Sequence, residues 1–158
     1  MAIYLKLGDI KGSVTDHKFK DQIELNSFSW GAGIPTSNSH GGDRTTGKAS
    51  VAEISATKQT DKSTEKLFKS LLMGAPVGKG VISFVAHANG KESVAYATLT
   101  IENVIVSGLS FSVQENHLPV ESISLNFTKF DWSFTGRDKD QKGQPTHLIY
   151  DIVESRVV

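Results

Sequence analysis

The residues with chemistry to offer are few and scattered. Gly42-x-x-x-x-Gly47-Lys48 matches most of a Walker A phosphate loop, in which glycine amides cradle phosphates and the lysine neutralises them. The motif then needs Ser or Thr for magnesium, and a helix whose N-terminal amides face the anion. Here Ala49 follows and Ser50–Ala56 reads as strand, so the match is accidental. Five histidines, at positions 17, 40, 87, 117 and 147, show neither HxxxH nor HxH spacing and have no cysteine partners, so no zinc site is assigned. His87 is expected as a packed or wall-facing strand residue and the other four as solvated loop residues.

Glu115 and Glu121 have the chemistry for a general acid and base, but carboxylates at arbitrary spacing are common. Phe130, Trp132 and Phe134 have faces on which bases could stack. With no basic surplus nearby, they are read as core or subunit-contact residues. Arg137-Asp138-Lys139-Asp140-Gln141-Lys142 alternates in sign and reads as a solvated loop. Asn126-Phe127-Thr128 fits the glycosylation pattern but lies inside an apolar strand, so it is rejected. No catalytic, cofactor-binding or metal-binding residue is assigned, and the chain is not read as an enzyme.

Composition narrows the field further. The 158 residues carry 17 Lys+Arg against 17 Asp+Glu, with 38% hydrophobic residues. That length suits a single domain spanning 1–158, and the balance argues against disorder. It also lacks the basic excess of a nucleic-acid binder. Absent cysteine removes disulfides, thiolate metal sites and thiol catalysis together. The 18 Ser and 12 Thr make much of the polarity neutral hydroxyl rather than charge. The opening Met1-Ala2-Ile3-Tyr4-Leu5-Lys6 does not read as a secretory signal, and apolar runs such as Val104-Ile105-Val106 are far too short to span a bilayer. A soluble protein made in the cytoplasm is expected, with no membrane insertion.

Most of the chain alternates at period two, the strand period. Tyr4–Leu7, Gln22–Trp30, Ser50–Lys58, Gly80–His87, Ser93–Val106, Leu109–Gln114, Val120–Phe134 and His147–Val153 are the expected strands, with Asn89-Gly90 as a hairpin signal. Three strands change phase partway: Ile23 and Leu25 give way to Phe28 and Trp30, Leu99 and Ile101 to Val104 and Val106, and Leu125 and Phe127 to Phe130 and Trp132. Each shift calls for a β-bulge, or for a strand apolar on both faces and covered by a helix or another subunit. Either way the sheet is strongly curved. Leu67, Phe68, Leu71 and Leu72 fall on one helical arc, predicting a helix over 61–73 capped by Thr60 or Asp61 and stopped by Gly74 and Pro76.

The expected fold is mainly β: a compact antiparallel β-barrel of about eight strands, one amphipathic α-helix and a long extended loop over 31–48. Leu25, Phe28, Trp30, Leu67, Phe68, Leu71, Leu125 and Phe127 are expected in its core. Loops as long as Gly31–Lys48 without structure of their own are uncommon inside compact domains and are usually functional or disordered. Ser27 and Ser29 alternate with Phe28 and Trp30, so burial of the aromatics turns the serines to the opposite side.

Several stretches occur in a meaningful order. They are Lys11-Gly12-Ser13, Asp16-His17-Lys18, Ile23-Glu24-Leu25, Ser27-Phe28-Ser29-Trp30-Gly31, His40-Gly41-Gly42 and Gly47-Lys48-Ala49. Downstream come Asp61-Lys62-Ser63-Thr64, Ile101-Glu102-Asn103-Val104-Ile105-Val106-Ser107, Leu118-Pro119 with Glu121-Ser122-Ile123, and Tyr150-Asp151-Ile152. From Tyr4 to Ile152 the chain resembles the haemolysin-coregulated protein (Hcp) family, the tube subunit of bacterial type VI secretion systems.

That resemblance implies a β-barrel assembled as a homohexameric ring. Rings would stack into a hollow tube, ringed by a contractile sheath, tipped by a spike protein and carrying effector proteins in its lumen. It implies export by that machine without a signal peptide, into the medium or a target cell. A chaperone or adaptor that binds effectors without polymerising is the alternative. The resemblance also makes the long loop, with Gly33, Ile34, His40, Gly41, Gly42, Asp43, Arg44, Gly47 and Lys48, a contact to a neighbouring subunit or ring. Ser27 and Ser29 are then candidates to face the lumen, the alternative being ordinary solvent-facing strand positions. With the chain stopping within a few residues of Ile152, the resemblance leads us to expect a plain tube subunit rather than one with a further toxin domain.

Overall fold

The structure, a computed structural model, describes residues 1–38, 44–87, 92–136 and 144–158. The Asn89-Gly90 turn, the charged run Arg137–Lys142 and His40, Gly41, Gly42 and Asp43 lie outside the described residues. In chain order the strands are β1 (Ala2–Leu7), β2 (Ile23–Leu25), β3 (Ser27–Ser29), β4 (Ala32–Gly33), β5 (Thr36–Asn38), β6 (Arg44–Thr46), β7 (Ser50–Val51) and β8 (Ile54–Gln59). Helix α1 (Thr64–Met73) follows. Then come β9 (Gly78–Ala86), β10 (Val94–Ser112), β11 (Val120–Asn126), β12 (Lys129–Phe134), β13 (Thr146–Asp151) and β14 (Arg156–Val157).

Each phase shift marks a place where a strand changes partners. Ile23 and Leu25 pair with β1, opposite Leu5 and Ile3; after Asn26 the same strand pairs with β8, placing Phe28 opposite Ala56. The Asn26 amide makes the handover by donating to the Thr57 carbonyl at 2.7 Å. In β10 the register against β9 shifts between Ile101 and Val104, where Asn103 adopts φ 52°. Beyond this bulge β10 takes β11 as its partner. The third shift differs from the expected bulge. Glu102 pairs with Lys129 and Ile105 with Asn126, so two residues lie between the pairs on each strand and none is extra. The two strands kink together, and the Thr128 amide still donates to the Glu102 carbonyl at 3.1 Å. Such corners carry a strand from one sheet into the next.

All ladders in this framework are antiparallel, and a circuit runs β2-β1-β9-β10-β11-β8-β3. This is the expected antiparallel barrel, though not one closed by a ladder. Among the described residues no ladder joins β2 to β8, and the circuit is completed by the chain itself through Asn26. β12, β13 and β14 extend the sheet from β10 as an open flap. The main sheet has 10 strands among the described residues, rather than about eight, because segments either side of a kink separate. The two strands expected at Ser93–Val106 and Leu109–Gln114 run together as β10, with a bulge between Val106 and Gly108.

The core fills the circuit with Leu5, Ile23, Ile82, Leu99, Ile123 and their neighbours, including Leu25, Leu67, Leu125 and Phe127. Phe28, Trp30 and Leu71 are partly buried and pack against it. Trp30 meets Phe130 edge-on at 4.8 Å, and Phe28 meets Phe84 edge-on at 5.2 Å. Phe68 departs from expectation: it is 40% exposed, with its ring edge-on to Phe111. The helix is only 10 residues long and packs on β10, so Leu67 is its one buried residue, while Leu72 and Met73 point outward. It also begins later than 61. Ser63 occupies the N-cap without a side-chain bond to the helix; its hydroxyl donates to the Asp61 carboxylate, which also accepts the Ser63 amide at 2.9 Å. Gly74 closes the helix in the left-handed region at φ 61°, its amide donating to the Leu71 carbonyl.

Candidate functional site

Alternation along β3, β8, β11 and the end of β10 puts apolar residues inward and hydroxyls outward. Register then joins the hydroxyls into rows. Ser27 pairs with Thr57, Thr57 with Ser122, and Ser122 with Ser110. One step along, Ser29 pairs with Ser55, Ser55 with Ser124, and Ser124 with Gly108. Ser27 and Thr57 hydroxyls bond across the first row at 2.6 Å. Neither row contains a charged side chain. Glu53 bounds the face, accepting from Ser107 at 2.9 Å and Asn126 at 3.2 Å. The result is a neutral face across four strands, offering short hydroxyls and no apolar bulk. Of its members only Ser27 and Ser29 are singled out by the sequence. Ser55, Thr57, Ser122 and Ser124 carry the same signal, hydroxyls alternating with apolar residues, but joining them requires strand pairing.

The expected loop over 31–48 is instead a two-part β-ribbon. Ala32 and Gly33 of β4 pair with Val51 and Ser50 of β7, and Thr36–Asn38 pair with Arg44–Thr46. Between these ladders the Gly47 amide donates to the Pro35 carbonyl at 2.9 Å. Glycine is required there, since a Cβ at position 47 would lie 2.5 Å from the Pro35 ring. Gly31–Ser37 and Thr46–Ser50 are exposed, with Ile34 at 48%. A two-stranded hairpin alone is marginal in water. β-Branched Thr36, Thr45 and Thr46, on either side of Gly41-Gly42 in the sequence, were the available strand signal. The apolar alternation used for the other strands is missing here. Lys48 leads into β7 rather than a helix.

Opposite the hydroxyl rows lies a buried ionic cluster that sequence reasoning missed. Lys58 and Glu121 face each other across β8 and β11, both fully buried, with Nζ 2.8 Å from Oε2. Lys58 also reaches Asp61 Oδ1 at 2.9 Å and Thr64 Oγ1 at 3.4 Å. Thr64 in turn donates its hydroxyl to Glu121. Burial pushes the Asp61 carboxyl up, but hydrogen bonds from Ser63 and Lys58 outweigh it and hold the group below its ordinary 3.8. Phase was the readable signal. Lys58 keeps step with buried Ile54 and Ala56, as Glu121 does with Ile123 and Leu125.

The remaining candidates are dispersed. His87 is exposed rather than packed, its Nδ1 3.0 Å from Ser93 Oγ, and Ser93 donates to Asp16 at 2.6 Å. That bond chiefly holds Asp16 below its ordinary value. His147 lies 3.0 Å from Asp131, and His117 faces the Glu115 carbonyl oxygen at 3.0 Å. Glu115 is exposed, and Glu121 is bound to Lys58 rather than paired with it. Phe130 is core, Trp132 is half-buried and Phe134 is 45% exposed. Among the described residues no group of three or more His, Asp or Glu is placed to hold a metal ion. No helix among them is long and apolar enough to cross a membrane.

Comparison with known proteins places this architecture. Residues 4–134 match the family model described as type VI secretion system effector, Hcp. The chain is 30% identical over 140 residues to protein hcp1 of Pseudomonas aeruginosa, covering 87% of this chain and 85% of that one. A solved structure of a type six secretion system protein superposes with a TM-score of 0.90 at 25% identity, covering 99% of each chain. Hcp1 from Salmonella typhimurium shares the fold, with a TM-score of 0.82 at 22% identity over 99% of this chain and 98% of that one. By sequence and by fold, the chain belongs to the Hcp family of the type VI secretion system.

Proposed function

We propose that this chain is the structural subunit of a type VI secretion tube. Copies close into hexameric rings, and rings stack into a hollow tube that a contractile sheath expels with a spike protein at its tip. The observation that carries this reading is the ribbon between Ala32 and Val51, exposed over Gly31–Ser37 and Thr46–Ser50. Within each of its two ladders the strands pair with each other and, among the described residues, not with the main sheet, a geometry that burial against a second copy would stabilise. Gly33, Ile34, Gly47 and Lys48 belong to that contact, as do Arg44 and, outside the described residues, His40, Gly41, Gly42 and Asp43. Heterologous contacts between identical subunits close a ring when the rotation fits.

The hydroxyl rows support a lumen lined by Ser27, Ser29 and their cross-strand partners. Short neutral side chains let a protein cargo pass without apolar trapping or fixed charge. In this role the protein is made in the cytoplasm, leaves with the tube, carries effectors and catalyses nothing. Replacing Ile34–Thr46 by a short turn tests the reading. The shortened chain remains a folded monomer while the intact chain forms rings in negative-stain images. Intact rings from the shortened chain contradict it, and a folded intact chain that binds effectors without ever forming rings favours the adaptor reading.

A further inference from the structure

Hydrophobic alternation constrains strand pairing only partly. A slip by one residue would turn Ile54 and Ala56 outward and is strongly disfavoured. A slip by two keeps every apolar residue inside and every hydroxyl outside, so alternation does not exclude it. β8 and β11 are open to this degeneracy, because both repeat the same small pattern: Ile54-Ser55-Ala56-Thr57 against Ser122-Ile123-Ser124-Leu125. At the end of each repeat stands one fully buried charge, Lys58 on β8 and Glu121 on β11, directly opposed.

We infer that the Lys58–Glu121 pair is a register lock, selecting the one pairing of β8 on β11 that aligns the hydroxyl rows and seats helix α1. In the native register Lys58 meets Glu121 at 2.8 Å and Asp61 at 2.9 Å, while Thr64 at the first turn of α1 donates to Glu121. Slipping by two sets Lys58 beside Ile123, or Glu121 beside Ala56, and separates the buried charges. Glu121 then loses both Lys58 and Thr64, and Lys58 keeps only its local contacts with Asp61 and Thr64, a penalty that apolar residues in the same places would not impose. The lock therefore acts on specificity rather than on net stability. Thr57 and Ser122 are the sequence neighbours of the locked pair, so the lock also fixes the row Ser27-Thr57-Ser122-Ser110. Lys58 and Glu121 are thus positioning residues, and their consequence for a lumen rests on the tube reading above.

The cysteine-free chain allows a direct test by engineered cross-links. Thr57→Cys with Ser122→Cys reports the native register. Ser55→Cys with Ser122→Cys reports a slip by two, because native diagonal neighbours lie about 7–8 Å apart, too far for a disulfide. In the native background only the first pair should oxidise. In a Lys58→Met/Glu121→Leu background the protein should stay folded, the second pair should cross-link in about a tenth of chains or more, and amide protection over 64–73 should fall about tenfold. A Lys58→Glu/Glu121→Lys exchange should restore the native cross-link alone while leaving α1 loosened. The inference is overturned if the apolar background shows only the native cross-link, if it fails to fold, or if the exchanged pair also slips. None of these readouts depends on ring formation. Wild-type chains that lock correctly yet never form rings would count against the tube reading and leave the lock standing.

Discussion

The barrel wall and the ribbon from Ala32 to Val51 are both antiparallel β structure, yet opposite forces hold them. In the wall, β8, β11 and β10 turn one face to a core of fully buried Ile54, Ile123, Leu125 and Leu99. Burying each such side chain contributes about 1.5–3 kcal/mol. In the ribbon Gly31–Ser37 and Thr46–Ser50 are exposed, and backbone hydrogen bonds are its main internal support. Each such bond nets only about 0.5–1.5 kcal/mol, against a backbone ordering cost of about 1–2 kcal/mol per residue. The wall carries its own buried core and, among the described residues, the ribbon does not; under the proposed tube reading, the ribbon is the part that a second copy would stabilise.

The contrast breaks most sharply at the buried cluster. Lys58→Met alone leaves Glu121 buried without its partner and should cost about 3–5 kcal/mol, read as a lowered urea midpoint. Leu125→Ala opens a cavity in the same wall and should cost about 2–5 kcal/mol by the same measurement. Acid should also act on the wall. The Asp61 carboxyl lies below its ordinary 3.8 in the folded state, so its stabilising contribution is complete above that value and drains away as pH falls through the lower folded value. Asp61→Asn should flatten this limb of a stability-versus-pH curve while barely changing its shape near neutrality. Smallest is the ribbon: Gly47→Ala should move the unfolding midpoint of the wall by about 0.5 kcal/mol or less. The added Cβ collides with Pro35, so the same change should reduce the fraction of protein found in assemblies on size-exclusion chromatography. A large loss of wall stability from Gly47→Ala would erase the distinction between the two regions.

How far the molecule could be read in advance follows the same division. Period-two alternation located most of the wall because one face of each strand is buried, and the apolar arc from Leu67 to Leu72 located the helix. The phase breaks at Asn26, Asn103 and Thr128 were legible as corners, since a kinked strand must change which parity faces the core. What each corner connects was not legible, because pairing lies in three dimensions. For that reason Ser27 and Ser29 could be singled out while Ser55, Thr57, Ser122 and Ser124 could not. The ribbon escaped because a strand pair with no buried face leaves no apolar period in the sequence. Phe68 misled because the helical arc is wider than the strip of β10 it packs on. Lys58 and Glu121 stood at core-phase positions, where the burial rule for charged residues argues against them; only their pairing resolves it.

The account rests on self-association, and its most direct test is imaging the purified intact protein at high concentration by negative-stain microscopy, with mass measured by light scattering. It predicts closed six-membered rings about six times the 17.1 kDa chain mass, some stacked end to end. A folded, strictly monomeric species under the same conditions would contradict it.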